Sequence, residues 1–317
     1  MKKYFMFVAF AITMAACSSD DGPAVSDATI HLRTDVVNGG GSKTRALNQD
    51  LQSTQIAYGQ KVWVEFTTSM TAPDQGTGTT AGLWNGQKAT AVYTADGAGA
   101  LSTTTMTKWP AGVSTTSTET VDIKAWAPFD AEPSTSAVYS IKTDQSSDAD
   151  YKASDYLYGE RTGIHKADIA SPILITFNHM MAKIIVNVSS TIPAVNVQNA
   201  KVVMGSSNFK TSYMIAANGS VVPQSAPLGD IKLTENLGSD GRCACIIVPQ
   251  TVSGQLFQVT VGSTSYTYSL PSPTTKSFDA GKVYTYNVAL RTDAELIVLN
   301  ETITNWDSQT PEGVIAN

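Results

Sequence analysis

The sequence predicts an all-β protein that contains more than one β-sandwich, and three observations support this prediction. Only 15% of the 317 residues are charged, and a chain rich in Thr, Ser, Gly and Val favours strands over surface helices. No segment shows a long helical period. Short strand-like runs instead recur between turn signals such as Asn85-Gly86 and Asn218-Gly219. There are too many of these runs for one small sandwich.

The beginning of the chain has the pattern of a bacterial lipoprotein signal. Lys2 and Lys3 precede an apolar stretch that is too short to span a bilayer, and the letters MAAC end at Cys17. We therefore expect residues 1–17 to be the signal and Cys17 to carry a lipid. Such a lipid would anchor the chain to the membrane without a spanning segment. An ordinary secretory signal with an unrelated cysteine is the alternative.

The stretch ATIHLRTDVV predicts the first strand. A period of two places Ile30, Leu32 and Val36 on one face and charged residues such as Arg33 on the other. This alternation suits an edge strand with one side on a core. A slack loop follows, NGGGSKTRALNQD, in which three consecutive glycines precede Arg45.

Further strand-like runs follow in both halves of the chain. The first half contains KVWVEFTT, KATAVYTA, TVDIKAWAPF, AVYSIKT and PILITFNHMMAKIIVNV. The second half contains AKVVMG, SYMIAANGSVV, CACIIVP, LFQVTVGSTSYTYSL, KVYTYNVAL and ELIVLNETITNW. The long run over 173–188 is the natural connection between two domains, so we place a boundary near Ala182, with one sandwich over 46–182 and another over 183–317. A single long strand within one domain is the alternative.

No set of residues predicts catalysis, a cofactor or a metal site, and we expect a protein that is not an enzyme. The histidines His31, His165 and His179 lack metal-ligand spacing, and neither a nucleophile elbow nor a phosphate-binding glycine loop occurs. We expect His179 to be a structural strand residue. The formal net charge of -6 argues against a nucleic-acid partner.

The cysteines Cys243 and Cys245 lie two residues apart on a predicted strand. They point to the same side and are therefore poorly placed to bridge one another. No histidine or further cysteine lies nearby in the sequence to complete a metal site. We interpret both as small buried apolar residues.

Two tryptophans are candidates for contact with a ligand such as a sugar. Trp84 and Trp109 lie in loop-like contexts, and an exposed indole can stack on a flat ligand face. A position in the core is the alternative for both.

Six local patterns occur in a fixed order between Val121 and Asp307. In chain order they are VDIKAWAPFD, SDYLYGE, ITFNHMMAKIIVNV, CIIVPQTVSGQLFQVTV, DAGKVYTYNVAL and ETITNWDS. Together they resemble motifs of the fimbrillin family, the subunits of type V pili in gut and oral anaerobic bacteria. The N-terminal part matches by layout rather than by motif, and Ala127 stands where a second aromatic residue is common in the family.

The resemblance implies two transthyretin-like β-sandwich domains, export as a lipoprotein to the cell outer membrane, cleavage after an arginine and polymerisation by strand exchange. Residues 18–45 would then be a tether and a removable strand. An arginine-specific or trypsin-like protease would cut after Arg45 and make Ala46 the new N-terminus. Arg33, inside the strand, is the competing cleavage site.

The C-terminal stretch 295–317 is the candidate donor strand. Its apolar side chains fall on two sides by the period of two: Leu296, Val298 and Trp306 on one, and Ile297, Leu299 and Ile303 on the other. The alternative is that this stretch only completes its own sandwich.

The function implied by the resemblance is that of a structural subunit of a pilus shaft. Its partners would be other pilus subunits and the processing protease. The precursor would be located at the outer membrane and the mature subunit in the fimbrium. A pilus tip or anchor component, or a surface lipoprotein that binds a glycan or a host protein, is the alternative. An extracellular hydrolase has no motif behind it.

Overall fold

Strands account for nearly all the regular structure of the protein, which confirms the all-β prediction. The computed structural model describes residues 29–36, 55–70, 84–110, 118–193, 195–234, 242–291 and 295–306. The first strands are β1 Leu32–Val36, β2 Lys61–Thr68, β3 Lys88–Ala95, β4 Leu101–Ser102, β5 Val121–Ala127, β6 Tyr139–Ser140, β7 Leu157–Ile164 and β8 Ile173–His179.

The later strands belong to the C-terminal half, and the helices are short. The strands are β9 Ala182–Ser190, β10 Lys201–Lys210, β11 Ser212–Ile215, β12 Val221–Pro223, β13 Leu228–Lys232, β14 Arg242–Ile247, β15 Gln250–Ser253, β16 Gln255–Val261, β17 Thr264–Ser269, β18 Thr275–Phe278, β19 Lys282–Leu290 and β20 Leu296–Asn305. The helices are α1 Asp148–Ala153 and two 3-10 helices, Lys166–Ala170 and Val197–Asn199. Within the described ranges, no helix combines the length and the apolar character needed to cross a membrane.

The N-terminal half forms one seven-stranded sheet in the order β1-β8-β7-β5-β2-β3-β4. Side chains of β2 and β3 alternate between buried and partly exposed positions, because successive residues of a strand point to opposite faces. The buried face encloses an apolar core that includes Val64, Phe66, Ile123 and Phe177. All seven strands therefore contribute to one curved layer around a single core.

The C-terminal half contains two four-stranded sheets, β14-β9-β19-β20 and β13-β10-β16-β17. They pack face to face, and Phe257 of β16 meets Tyr286 of β19 with ring centroids 4.8 Å apart. Strands β9 and β14 are buried along most of their length, which is typical of strands covered on both faces. This arrangement is a β-sandwich.

The chain passes from one half to the other between β8 and β9. β8 ends at His179 in the N-terminal sheet, and β9 begins at Ala182 in a C-terminal sheet. The long apolar run over 173–188 therefore contains parts of two strands that belong to different sheets. β6 crosses this division, because Tyr139 pairs with Tyr213 of β11. The two halves thus share a small three-stranded sheet, β12-β11-β6.

Candidate functional site

β1 lies between two parts of the N-terminal sheet and joins them. On one side it pairs in parallel with β8 along its whole length. On the other side, the Ile30 N–H donates to the Thr107 carbonyl oxygen at 2.9 Å and the Thr34 N–H donates to the Gly99 carbonyl oxygen at 2.7 Å. Residues 99–107 include β4, the last strand of the sheet order. β1 therefore closes the sheet into a ring, so that neither β8 nor this segment presents an open edge there.

The apolar face of β1 is buried as predicted. Ile30, Leu32 and Val36 belong to the N-terminal core, whereas Arg33 is exposed. Burying an aliphatic side chain of this size contributes about 1.5–3 kcal/mol. β1 is thus held both by backbone hydrogen bonds on two edges and by side-chain packing on one face.

The residues predicted to be processed fall outside the described part of the chain. Cys17, Arg45 and Ala46 all lie there, so lipid attachment and cleavage stay predictions. The competing site, Arg33, lies within β1, and its backbone pairs with β8 on one side and with Ala100 on the other. Proteases cut exposed loops in preference to paired strands, so cleavage at Arg33 requires that β1 first leave the sheet.

β20 is the outermost strand of its sheet. It pairs in antiparallel fashion with β19, from Leu296 opposite Leu290 to Asn305 opposite Lys282. Its second edge forms an isolated bridge at Glu295 with β17, and none of the other strands in the described ranges pairs with it. Among the described strands, β20 therefore completes its own sheet and has a partner strand along one edge only.

Few side chains of β20 enter its own core. Leu296 and Trp306, at the two ends, are 3% and 2% exposed, whereas Leu299 and Ile303 are 59% and 53% exposed. Val298 is partly buried against the core. Of the six apolar side chains that the sequence offers for donation, the strand's own domain fully buries only the two at its ends.

The predicted assignment of side chains to the two sides of β20 is wrong beyond a β-bulge. Val298 lies opposite Val288, but Asn300 lies opposite Asn287, so Leu299 is an extra residue in the strand. One extra residue reverses the face that every later side chain takes. Ile303 therefore lies on the same face as Val298 and not on the opposite one.

A cluster of buried side chains surrounds the end of β20. The Trp306 indole stacks on the His179 imidazole, with ring centroids 3.8 Å apart and an interplanar angle of 4°. The Nδ1 of His179 lies 2.9 Å from the Oδ2 of Asp155, and the Nζ of Lys183 lies 5.6 Å from the indole centroid. All four side chains are buried. His179 is thus a structural residue of β8, as predicted.

The two cysteines of the C-terminal half are buried structural residues. Cys243 and Cys245 are buried residues of β14, which confirms their interpretation as small buried residues. Burial, and secondarily the neighbouring Cys243, raise the pKa of the Cys245 thiol well above its usual value. The reactive thiolate is therefore disfavoured. Among the residues whose positions are described, no group of three or more His, Cys, Asp or Glu could hold a metal ion.

The predicted ligand contacts of Trp84 and Trp109 are wrong for this conformation. The two indoles are 1% and 2% exposed and belong to the N-terminal core. Trp84 also donates its Nε1–H to the carbonyl oxygen of Lys108 at 2.8 Å. An indole this deeply buried cannot stack on a ligand in solution. Both indoles pack into the core instead of standing away from it.

Comparison with known proteins identifies a family and a fold. The model of a family described as fimbrillin-like matches residues 44–306. A "putative cell adhesion protein" from Bacteroides ovatus is 18% identical, with a TM-score of 0.62 over 88% of this chain and 97% of that one. A protein of the same description from Bacteroides uniformis is 16% identical, with a TM-score of 0.60 over 89% of this chain and 99% of that one. These likenesses establish the fold. No curated protein matches the sequence.

Proposed function

We propose, because this chain belongs to the fimbrillin-like family, that it is a structural subunit of a bacterial pilus and assembles with other pilus subunits by exchange of strands. The observation that carries the proposal is the position of β1. This strand is near the N-terminus, yet it fills the gap between β8 and residues 99–107 and buries its apolar face in the N-terminal core.

The first step of the proposal is processing of a lipoprotein precursor. The chain would reach the outer membrane through a lipid on Cys17, and a trypsin-like or arginine-specific protease would cut between Arg45 and Ala46. A cut in that loop breaks the covalent tie between β1 and the rest of its sheet. β1 could then dissociate, since a covalent connection to the sheet no longer keeps its local concentration high.

The second step is the exposure of an acceptor groove. Departure of β1 would leave unpaired backbone groups on β8 and on residues 99–107. It would also uncover the core side chains that Leu32 and its neighbours contact. Open strand edges beside an apolar floor favour the addition of another strand.

The third step is donation of the C-terminal stretch 295–317 by a neighbouring copy or another subunit. Leu299 and Ile303 are exposed in their own domain, so burial in an acceptor groove would add apolar contacts that they now lack. A head-to-tail contact of this kind does not close on itself and propagates into a filament. The mature subunit would therefore lie in the fimbrium.

One observation favours a second candidate function. β20 is paired along its whole length with β19, which suits a subunit that keeps its C-terminal strand. Such a subunit could accept a strand without donating one, as a pilus tip or anchor component, or remain a surface lipoprotein that binds a glycan or a host protein.

Protease treatment of the purified full-length precursor tests the proposal. With a trypsin-like protease we expect a new N-terminus at Ala46 and a ladder of polymers. Arg45→Gln should remain uncleaved and monomeric, whereas the matched variant Arg33→Gln should be cleaved and polymerise like the unmodified protein. A protein that is cut after Arg45 and stays monomeric would rule out the shaft role.

Deletion of residues 295–317 tests the donor assignment separately. Because β20 buries few side chains in its own domain, we expect the shortened chain to fold, to be cleaved after Arg45 and to remain monomeric. Circular dichroism would check the folding. Polymers formed by the shortened chain would remove the donor role from this stretch.

A further inference from the structure

β20 is fastened to its own domain mainly at its ends. The side chains from Leu299 to Asn305 are all exposed, while Leu296 at one end and Trp306 just past the other are buried. The middle of the strand is held by its backbone ladder with β19 and by two polar side-chain contacts, an ion pair of Glu301 with Lys276 and a hydrogen bond of Asn300 with Asn287. These polar contacts at the strand's edge compete with water, so the buried ends contribute most of the apolar anchoring of the strand.

Trp306 rests on buried polar side chains that fix its position. We call Asp155, His179 and Lys183 the pedestal. The Nδ1 of His179 lies 2.9 and 3.1 Å from the two carboxylate oxygens of Asp155, which sets the orientation of the imidazole beneath the indole. The Trp306 N–H also donates to the carbonyl oxygen of Gly281 at 2.8 Å. Ring stacking and a backbone hydrogen bond thus hold the same residue.

The indole also covers a polar atom, and this limits how strongly it is held. The Nε2 of His179 is buried and has no hydrogen-bond partner among the described atoms. When the indole detaches, water can reach this nitrogen and donate or accept a hydrogen bond that the stacked state lacks. Stacking therefore stabilises the attached position of Trp306 by less than its buried area alone indicates.

We infer that Trp306 is an autoinhibitory latch that holds β20 in its own sheet and sets how often the strand detaches. Release of the indole from the pedestal leaves Leu296 as the remaining fully buried anchor of the strand. The biological meaning of the latch rests on the proposed donation of residues 295–317. Retention of the strand itself is a property of a single chain and can be measured without assembly.

Hydrogen exchange of the full-length, uncleaved protein measures this retention directly. In Trp306→Ala we expect amides of residues 296–305 to exchange about tenfold faster or more, since a stacked, buried aromatic pair is removed. Ile303→Ala is the matched control on the same strand, because its side chain is exposed, and its exchange should be unchanged. Unchanged protection of β2 in both variants shows that the N-terminal sheet is intact.

A smaller substitution keeps the test decisive if Trp306→Ala does not fold. Trp306→Phe places a flat ring over His179 with less contact area, so its β20 amides should exchange faster than those of the unmodified protein and slower than those of Trp306→Ala. The latch would be overturned if the β20 amides of Trp306→Phe, or of both variants, exchanged at the same rate as those of the unmodified protein.

Assembly after cleavage separates the latch from the proposed function. Faster exchange in the variant supports the latch, and polymer formation by the cleaved unmodified protein supports strand donation. Faster exchange in a variant that forms no polymers, when the unmodified protein also forms none, supports the latch and removes strand donation. If the variant exchanges its β20 amides and forms polymers at the same rates as the unmodified protein, the latch is ruled out and strand donation is not.

Discussion

β1 and β20 are the outermost described strands along the chain, and the fold holds them in opposite ways. β1 has 5 residues, is bonded on both edges and buries one face. β20 has 10 residues, is paired with a strand on one edge and exposes most of its side chains. The shorter strand is therefore held more firmly, because burial and pairing on two edges outweigh length.

This difference matches two events of the proposed assembly, the release of β1 after cleavage and the donation of residues 295–317. A firmly held plug needs a covalent cut before it can leave, whereas a weakly held tail can leave by thermal opening. The two strands also meet on one element. Val36 of β1 lies opposite Phe177 of β8. His179, on which Trp306 stacks, is the last residue of the same strand. β8 thus contacts β1 through strand pairing and Trp306 through ring stacking.

The largest expected effect comes from the buried face of β1. Leu32→Ala should lower the free energy of unfolding of the full chain by about 2–5 kcal/mol, the usual cost of truncating a buried leucine. Arg33→Ala, its exposed neighbour, should change it by no more than about 0.5 kcal/mol. Urea unfolding of both variants measures this. Equal, small effects would mean that β1 contributes little to the core and is not a plug.

A second prediction concerns the outer edge of β1. Gly99 has a φ of +102°, and a Cβ there would lie 3.1 Å from the Thr34 carbonyl oxygen and 2.6 Å from the Oε1 of Gln55. Gly99→Ala should therefore cost about 1–3 kcal/mol through backbone strain and crowding, measured by urea unfolding with faster hydrogen exchange in β1. Gly86→Ala is the matched control, because Gly86 has a φ of +61° with nothing within 4 Å. If the two variants lose the same free energy of unfolding, the contact between Gly99 and β1 does not contribute to stability.

The buried face of β1 could be predicted from the sequence, but the expectation of an edge strand is wrong, because β1 is bonded on both edges. The features of β20 could also be predicted only in part. Alternation in ATIHLRTDVV identifies Ile30, Leu32 and Val36 as the buried face because β1 is a regular strand. The same rule fails in β20 because Leu299 is an extra residue at a bulge. Bulges depend on the partner strand, and no local signal in ELIVLNETITNW marks one.

The latch could not be predicted from the sequence. Trp306 and His179 stand in separate motifs of the chain, and Asp155 lies 24 residues before His179. Only the folded chain brings the ends of β8 and β20 together. The burial of Trp84 and Trp109 is a similar case, because loop-like sequence does not show whether a loop covers a core.

The smallest expected effect on stability comes from the exposed side chains of β20 and sharpens the contrast with β1. Leu299→Ser and Ile303→Ser should each change the free energy of unfolding of the monomer by no more than about 0.5 kcal/mol, since both side chains are already solvated. In a donated strand the same side chains would be buried, so the double variant should form polymers much more slowly after cleavage. Thr302→Ser is the control on the same strand. Polymer formation by the double variant at the unmodified rate would show that these two side chains do not enter an acceptor groove.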